Sequence, residues 1–382
     1  MGRKGESVSE LPDQQNHGVA DPGGQEEAGR AGDDPLSGSC PPAVRCRNLW
    51  KAFGANADRV FSRAPESDRL ASLEQAGCIP AVCDVSFDVA QGEVFVIMGL
   101  SGSGKSTLIR CLSRLIDPTA GTIELNGEDL MSMGDRQLRG VRRRRIGMVF
   151  QNFGLMPYLT VLENVAFPLR VQDVRESKRL ERAAEMVSLV GLEGREWSYP
   201  HELSGGQQQR VGIARSLAVD PQIWLLDEPF SALDPLIRRQ MQDEFLRLQR
   251  LLNKTIVFIT HDFLEAVRVA DRIAIMRAGE IVQIDRPSRI VLDPANDYVA
   301  EFVQDIPVGR LVCVGEIAKP LAADTPHDHP LAADAHIDDV MRPLSAVNRP
   351  LAVIDRDGDV IGQVSWAHAL DVLDRRAPAG QS

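Results

Sequence analysis

The feature that most constrains this chain is Gly99-Leu100-Ser101-Gly102-Ser103-Gly104-Lys105-Ser106, placed directly after the apolar run Val94-Phe95-Val96-Ile97-Met98. The pattern G-x-x-x-x-G-K-S between a strand and a helix is a phosphate cradle. Its glycines let the backbone curl until successive N–H groups face phosphate oxygens, and the following helix adds the positive end of its dipole. In such a loop Lys105 reaches the β- and γ-phosphates of a nucleotide, and the Ser106 hydroxyl ligates Mg2+. Gly99 to Thr107 are accordingly assigned to ATP.

Strand-like and helix-like stretches alternate from Val44 to about Asp305. The spacing predicts strands over 93–98, 122–125, 146–150, 223–227, 255–260 and 272–276, with amphipathic helices over 178–190, 235–252 and 263–269. This alternation is that of an α/β domain.

Ile223-Trp224-Leu225-Leu226-Asp227-Glu228 is an apolar strand that ends in two carboxylates. Beside a phosphate loop, such a pair places one acid at the metal and the next at the attacking water. Asp227 is therefore assigned to Mg2+ and Glu228 to water activation. Leu203-Ser204-Gly205-Gly206-Gln207 precedes a helix that runs to about Ala218, so a hydroxyl and bare backbone N–H groups again face out at a helix N-terminus. It reads as a second anion site, without a lysine.

Taken together, these segments resemble the nucleotide-binding domain of ABC transporters, a P-loop NTPase fold whose signature begins L-S-G-G-Q. The resemblance covers about Val44 to Phe302. It implies a Mg2+-contacting and partner-sensing role for Gln151, a γ-phosphate contact for His261, and a segment crossing a dimer interface at Ser231-Ala232-Leu233-Asp234. It implies that an aromatic platform stacks on adenine; Phe53 is placed there, with Trp50 as an alternative. Catalysis then rests on Glu228, His261 and Lys105, and Mg2+ on Ser106, Gln151 and Asp227. In this family two such domains pair head to tail, so Ser204, Gly205, Gly206 and Gln207 would complete the site of a second copy. A helical subdomain carrying the signature is expected over about 155–220.

Within the family, the closest likeness is to ATPase subunits of glycine betaine, proline betaine or choline importers. It is carried by Val94 to Gly104, Met148 to Gln151, Leu155-Met156-Pro157, Phe230 to Arg238 and Pro294 to Val299, and by an insertion over about 55–80. That likeness implies ATP and Mg2+ as cofactors, a homodimer, integral membrane permease subunits, and a periplasmic or lipid-anchored substrate-binding protein. It places the chain at the cytoplasmic face of the bacterial inner membrane. The alternatives are another ABC importer's ATPase, or a soluble ABC ATPase unconnected with transport.

Composition narrows the remaining classes. A hydrophobic fraction of 43% with 25% charged residues suits a soluble globular chain, and no apolar run approaches the ~20 residues of a membrane span. The N-terminus lacks a basic stretch followed by an apolar one, so no signal peptide is expected. A net charge of −11 argues against general nucleic-acid binding, and Arg142 to Arg145 read as a solvated helix end. The six cysteines lack metal-site spacing and are expected to be reduced. His327, His329 and His336 lie without a scaffold, so no metal is assigned to them.

Residues 1–42, rich in Gly, Pro and acidic residues, are expected to be a disordered tail. The ABC domain is placed over 43–305, a Pro-rich linker over 306–335, and a small α+β unit over 336–376. In that unit Leu351 to Leu373 reads as strand, Asp-x-Asp-Gly turn, strand and helix, partially similar to a CBS module, a regulatory or docking appendage. Residues 377–382 form a tail.

Overall fold

The computed structural model describes residues 41–151, 154–321, 329–347 and 349–374. The expected tails over residues 1–40 and 377–382, and His327, lie outside the described residues.

The chain opens with strand β1 (Val44–Phe53), helices α1 (Ala57–Arg63) and α2 (Arg69–Gln75), and strands β2 (Ile79–Val89) and β3 (Val94–Met98). Helix α3 (Lys105–Leu112), strands β4 (Ala120–Leu125) and β5 (Glu128–Asp129), helix α4 (Asp135–Arg144) and strand β6 (Ile146–Val149) follow. Three helices come next: α5 (Val161–Val171), α6 (Glu176–Leu189) and α7 (Gly205–Leu217). Strand β7 (Ile223–Asp227), helix α8 (Pro235–Leu252), strand β8 (Thr255–Thr260), helix α9 (Phe263–Val269) and strands β9 (Arg272–Arg277) and β10 (Glu280–Asp285) complete the main sheet. The chain continues through helices α10 (Pro287–Leu292), α11 (Asp297–Val303) and α12 (Val308–Leu311). It ends in strand β11 (Leu331–Ala332), helix α13 (Ile337–Val347), strands β12 (Leu351–Ile354) and β13 (Val360–Val364), and helix α14 (Trp366–Asp374).

A six-stranded sheet in the order β10-β9-β3-β8-β7-β6 forms the centre, parallel except for β10 at its edge. Strands β3, β8 and β7 are buried at every position, and mostly apolar, because both faces of the sheet are covered. Side chains alternate between two cores, as the strand period of two requires. Val94, Val96, Met98, Trp224, Leu226, Ile256 and Phe258 face the helices α5 to α9. Phe95, Ile97, Ile223, Leu225, Val257 and Ile259 face the other core, which holds α3 and the antiparallel sheet β2-β1-β4-β5. Because α3 lies between the sheets, its first turn, and the loop feeding it, are held at the C-terminal end of β3.

Four aromatic rings anchor the end of β7 against α8 and β8. Phe230, Phe245 and Phe258 lie 5.8 to 6.1 Å apart, and Trp224 packs tilted against Phe245 at 5.6 Å while its Nε1 donates to the Ser216 hydroxyl at 2.9 Å. This cluster fixes where the acid pair after β7 emerges.

The insertion after β1 folds as α1 and α2 on a small core of its own, with Trp50, Ala57, Phe61, Leu73 and Cys78. The stretch expected to be a linker is structured at both ends. Val308, Val312, Val314 and Ile317 are buried with Ile337, Leu344, Val353 and Ala369, so the C-terminal unit begins before residue 312. Leu331–Ala332 joins it as a strand parallel to β12. The sheet order is β11-β12-β13, and the expected strand, turn, strand and helix over 351–373 form β12, β13 and α14.

Candidate functional site

The phosphate loop closes back on β9 and β2. Gly104 has φ +100°, and a Cβ there would lie 2.0 Å from the carbonyl oxygen of Ala81, so only glycine fits. Lys105 is buried, and its Nζ donates to the carbonyls of Gly99 and Leu100, each at 2.9 Å. The ammonium thus lies within the curl of its own loop. Burial pushes its pKa down, with the carboxylates of Glu228 and Asp227 opposing the shift.

Next to it, the Ser106 hydroxyl donates to Asp227 Oδ1 at 2.9 Å. Asp227 Oδ2 faces the guanidinium of Arg110 at 3.6 Å. Arg110 escaped the sequence reading, although it stands one helical turn beyond Ser106 on α3, a spacing that puts both on one face.

Glu228 sits in the left-handed region at φ +45°, unusual for a residue other than glycine. Such backbone costs of the order of 1–3 kcal/mol and gathers at functional sites. The turn is held by Glu228 N–H donating to the Ile259 carbonyl at 3.1 Å. It aims the carboxylate outward: Oε2 lies 3.2 Å from His261 Nδ1 and accepts from Gln151 Nε2 at 3.4 Å.

Leu100, Ser101, Gly102, Gly104, Lys105, Ser106, Thr107, Gln151, Glu228 and His261 therefore line one open cleft of about 610 Å3. Gly99 and Ser103 support the loop from behind, Ser103 being buried. Asp227 lies beneath the cleft, reached through Ser106.

Phe53 pairs with Ile79 across β1 and β2, and both are exposed, with Lys51 Nζ 5.1 Å from the Phe53 ring. Ala81, two residues along the same strand, lines the cleft. Trp50 is spent elsewhere, buried against Phe61 at 5.3 Å. Of the two aromatics, Phe53 is the exposed one.

The signature residues do not line this cleft. Ser204 caps α7, accepting from Gln207 N–H at 3.3 Å, while Gln207 Oε1 accepts from Ser204 N–H at 3.0 Å. Asp234 likewise caps α8, accepting from Ile237 N–H at 3.0 Å. Gly206 permits the close approach of α7 to α8, since a Cβ there would lie 2.6 Å from the Ile237 side chain.

A second concavity, about 330 Å3, runs between α4, β6 and α5. Met148, Phe150, Met156 and Phe167 form its apolar wall, and Arg142 and Arg143 its basic rim. The arginine run is thus in part the wall of a groove rather than only a solvated helix end. No helix among the described residues is long and apolar enough to cross a membrane.

Comparison with known proteins agrees with this geometry. Residues 82–231 match the family model of the ABC transporter. The chain is 49% identical over 323 residues to the trimethylamine N-oxide transport system ATP-binding protein TmoW of Pelagibacter ubique, covering 85% of this chain and 95% of that one. It is 51% identical over 332 residues to TmoW of Ruegeria pomeroyi, covering 87% and 97%. It is 45% identical over 327 residues to the glycine betaine/proline betaine transport system ATP-binding protein ProV of Escherichia coli, covering 84% and 80%. Among solved structures, the ATP-binding cassette MJ0796, a dimer in a post-hydrolysis state bound to ADP and Pi, aligns with a TM-score of 0.54 at 34% identity, over 64% of this chain and 98% of that one. The chain belongs to the ABC transporter family, as one of its ATP-binding, ATP-hydrolysing proteins.

Proposed function

We propose that two copies of this chain bind ATP and Mg2+ between them and use hydrolysis to drive uptake of a small methylated amine, with trimethylamine N-oxide the first candidate. The observation that carries the reading is the division of the site. Lys105, Ser106, Gln151, Glu228 and His261 converge on one cleft, while Ser204 to Gln207 stand at a helix N-terminus outside it.

Within the cleft, Lys105 and the loop N–H groups hold the β- and γ-phosphates, and Phe53 stacks on adenine. Glu228 takes the proton of the attacking water, and His261, in contact with it, holds the γ-phosphate. Ser204, Gly205, Gly206 and Gln207 of a second copy close the site from the other side, with Asp234 at the junction. A hydroxyl and a carboxylate 2.9 Å apart, with the Gln151 amide lining the same cleft as the hydroxyl, are the hard oxygen donors that suit Mg2+. Ser106, Asp227 and Gln151 would hold that ion, which when bound neutralises charge on the phosphates.

The groove of Met148, Phe150, Met156 and Phe167 begins one residue from Gln151 and suits an apolar segment of a membrane permease, so docking and nucleotide state meet at Gln151. The likeness to importer ATPases supports a peripheral place at the cytoplasmic face of the inner membrane and a separate substrate-binding protein. The C-terminal unit is a CBS-like docking or regulatory appendage.

The solute rests on the relatives. The two trimethylamine N-oxide proteins are covered to 95% and 97% of their length, against 80% for the glycine betaine/proline betaine protein. The test is uptake of labelled trimethylamine N-oxide, glycine betaine and choline by cells expressing the chain with the membrane subunits that co-purify with it. ATP-dependent uptake of trimethylamine N-oxide, abolished by Lys105→Ala, is expected. Uptake of none of the three, or purification only as a free ATPase, would contradict the reading.

A further inference from the structure

Glu265 is a buried carboxylate to which the reading above gives no work. Its side chain is 6% exposed, in the first turn of α9. One oxygen accepts the Thr260 hydroxyl, and the other accepts Gln242 Nε2 of α8 at 3.0 Å. The Thr260 hydroxyl also accepts from Asp262 N–H at 3.0 Å, and Asp262 Oδ1 accepts from Glu265 N–H at 3.2 Å. The residues on either side of His261 are therefore both tied to Glu265.

The same cluster extends to the other dimer-facing segment. Gln242 Oε1 accepts from Arg268 at 3.3 Å. One turn earlier on α8, Arg238 lies 3.6 Å from Asp262 Oδ2 and donates to the Leu233 carbonyl at 3.2 Å, next to Asp234. A hydrogen bond and an ion pair thus run from Leu233 through Arg238 to the turn that carries His261.

A packing role alone does not explain an acid here. Burying a carboxylate is costly unless it is well bonded, and an apolar residue of similar size would fill the space without that cost. Burial indeed pushes the Glu265 pKa up, against the opposing pull of Thr260 and Gln242. What a carboxylate supplies is acceptor-only oxygens. They force the Thr260 hydroxyl to donate inward, leaving its lone pairs for Asp262 N–H.

We infer that Glu265 is a positioning residue for His261, fixing the turn 260–262 through Thr260 and linking it through Gln242 and α8 to the segment ending at Asp234. This rests on the reading that His261 contacts the γ-phosphate. Because that contact is to the group being transferred, and the loop and Lys105 hold the rest of the nucleotide, misplacement affects turnover more than nucleotide binding.

The test measures ATP hydrolysis by the purified full-length chain. Glu265→Gln and Thr260→Val are each expected to lower kcat about ten- to hundredfold with KM for ATP within about twofold. Thr260→Ser keeps the hydroxyl and is expected to restore kcat to within about threefold of the parent. The double variant should be no worse than the weaker single, because both cut one path. Parent-like kcat in both Glu265→Gln and Thr260→Val, or Thr260→Ser as impaired as Thr260→Val, overturns the inference. If Glu265→Gln does not fold, the two Thr260 variants decide it. His261→Ala serves as the reference. Undiminished turnover there means that the reading of His261 has failed, whereas lost turnover there with parent-like Glu265 and Thr260 variants refutes the positioning role alone.

Discussion

Replacing Lys105 by methionine keeps most of the buried aliphatic stem and removes the ammonium. Charge-assisted hydrogen bonds contribute about 1.5–3 kcal/mol each, so two phosphate contacts would suggest a total near 6 kcal/mol. That total overstates the loss. The ammonium has carbonyl partners in its own loop, Gly99 and Leu100 at 2.9 Å, so contacts to phosphate would exchange neutral acceptors for anionic ones. The difference between charged and neutral acceptors leaves about 2–3 kcal/mol, or about 30- to 150-fold in Kd.

Titration of a fluorescent ATP analogue onto parent and variant measures this directly. An affinity within threefold of the parent would refute the cradle assigned to Lys105. A loss far beyond a thousandfold would show instead that the loop had collapsed. The same lysine predicts a pH effect. Its folded pKa is lowered by burial, so the ammonium is lost at lower pH than on a solvated lysine. ATP affinity of the parent should therefore fall as pH rises into that range, and Lys105→Met should not share the fall. For folding the sign is opposite. A lowered lysine pKa destabilises the native state while both states are protonated, and the penalty is relieved as pH rises through the folded value.

Phe53→Ala is expected to weaken ATP binding by about 1–3 kcal/mol with no loss of thermal stability, while Trp50→Ala costs about 3–5 kcal/mol of stability, read by calorimetry. If Trp50→Ala instead weakened binding in a stable protein, the platform would be misplaced. Gly104→Ala should abolish ATP binding in the same titration, because its Cβ would meet the Ala81 carbonyl at 2.0 Å. Parent-like binding there would contradict the loop geometry.

Much of the fold was legible because its constraints are local. Strands β7 and β8 and helices α8 and α9 fall where the spacing put them, since Pro235 and Asp262 mark helix starts and each strand is a short apolar run. The site was legible for the same reason: loop, acid pair and signature each occupy one continuous stretch. What was not legible depends on distant partners. Residues 308–317 read as linker because Pro307 and Pro320 bracket them, yet Val312, Val314 and Ile317 are buried by Ile337, Leu344 and Val353. No local pattern announces that packing. Nothing in the local sequence sets Glu265 apart from other helix acids, since its partner Gln242 lies 23 positions away. Arg110 was within reach of helical spacing from Ser106, had the carboxylate of Asp227 been placed against that face.

The central claim is that one chain supplies only half of each ATP site. Glu228→Gln keeps the shape of the site while removing the base, so ATP should bind and persist. Light scattering on that variant with ATP and Mg2+, combined with a count of bound nucleotide, tests the claim most directly. The account predicts a dimer that holds two ATP, lost when Ser204 is also replaced by a bulky residue such as phenylalanine. A monomer holding one slowly released ATP, indifferent to Ser204, would contradict it.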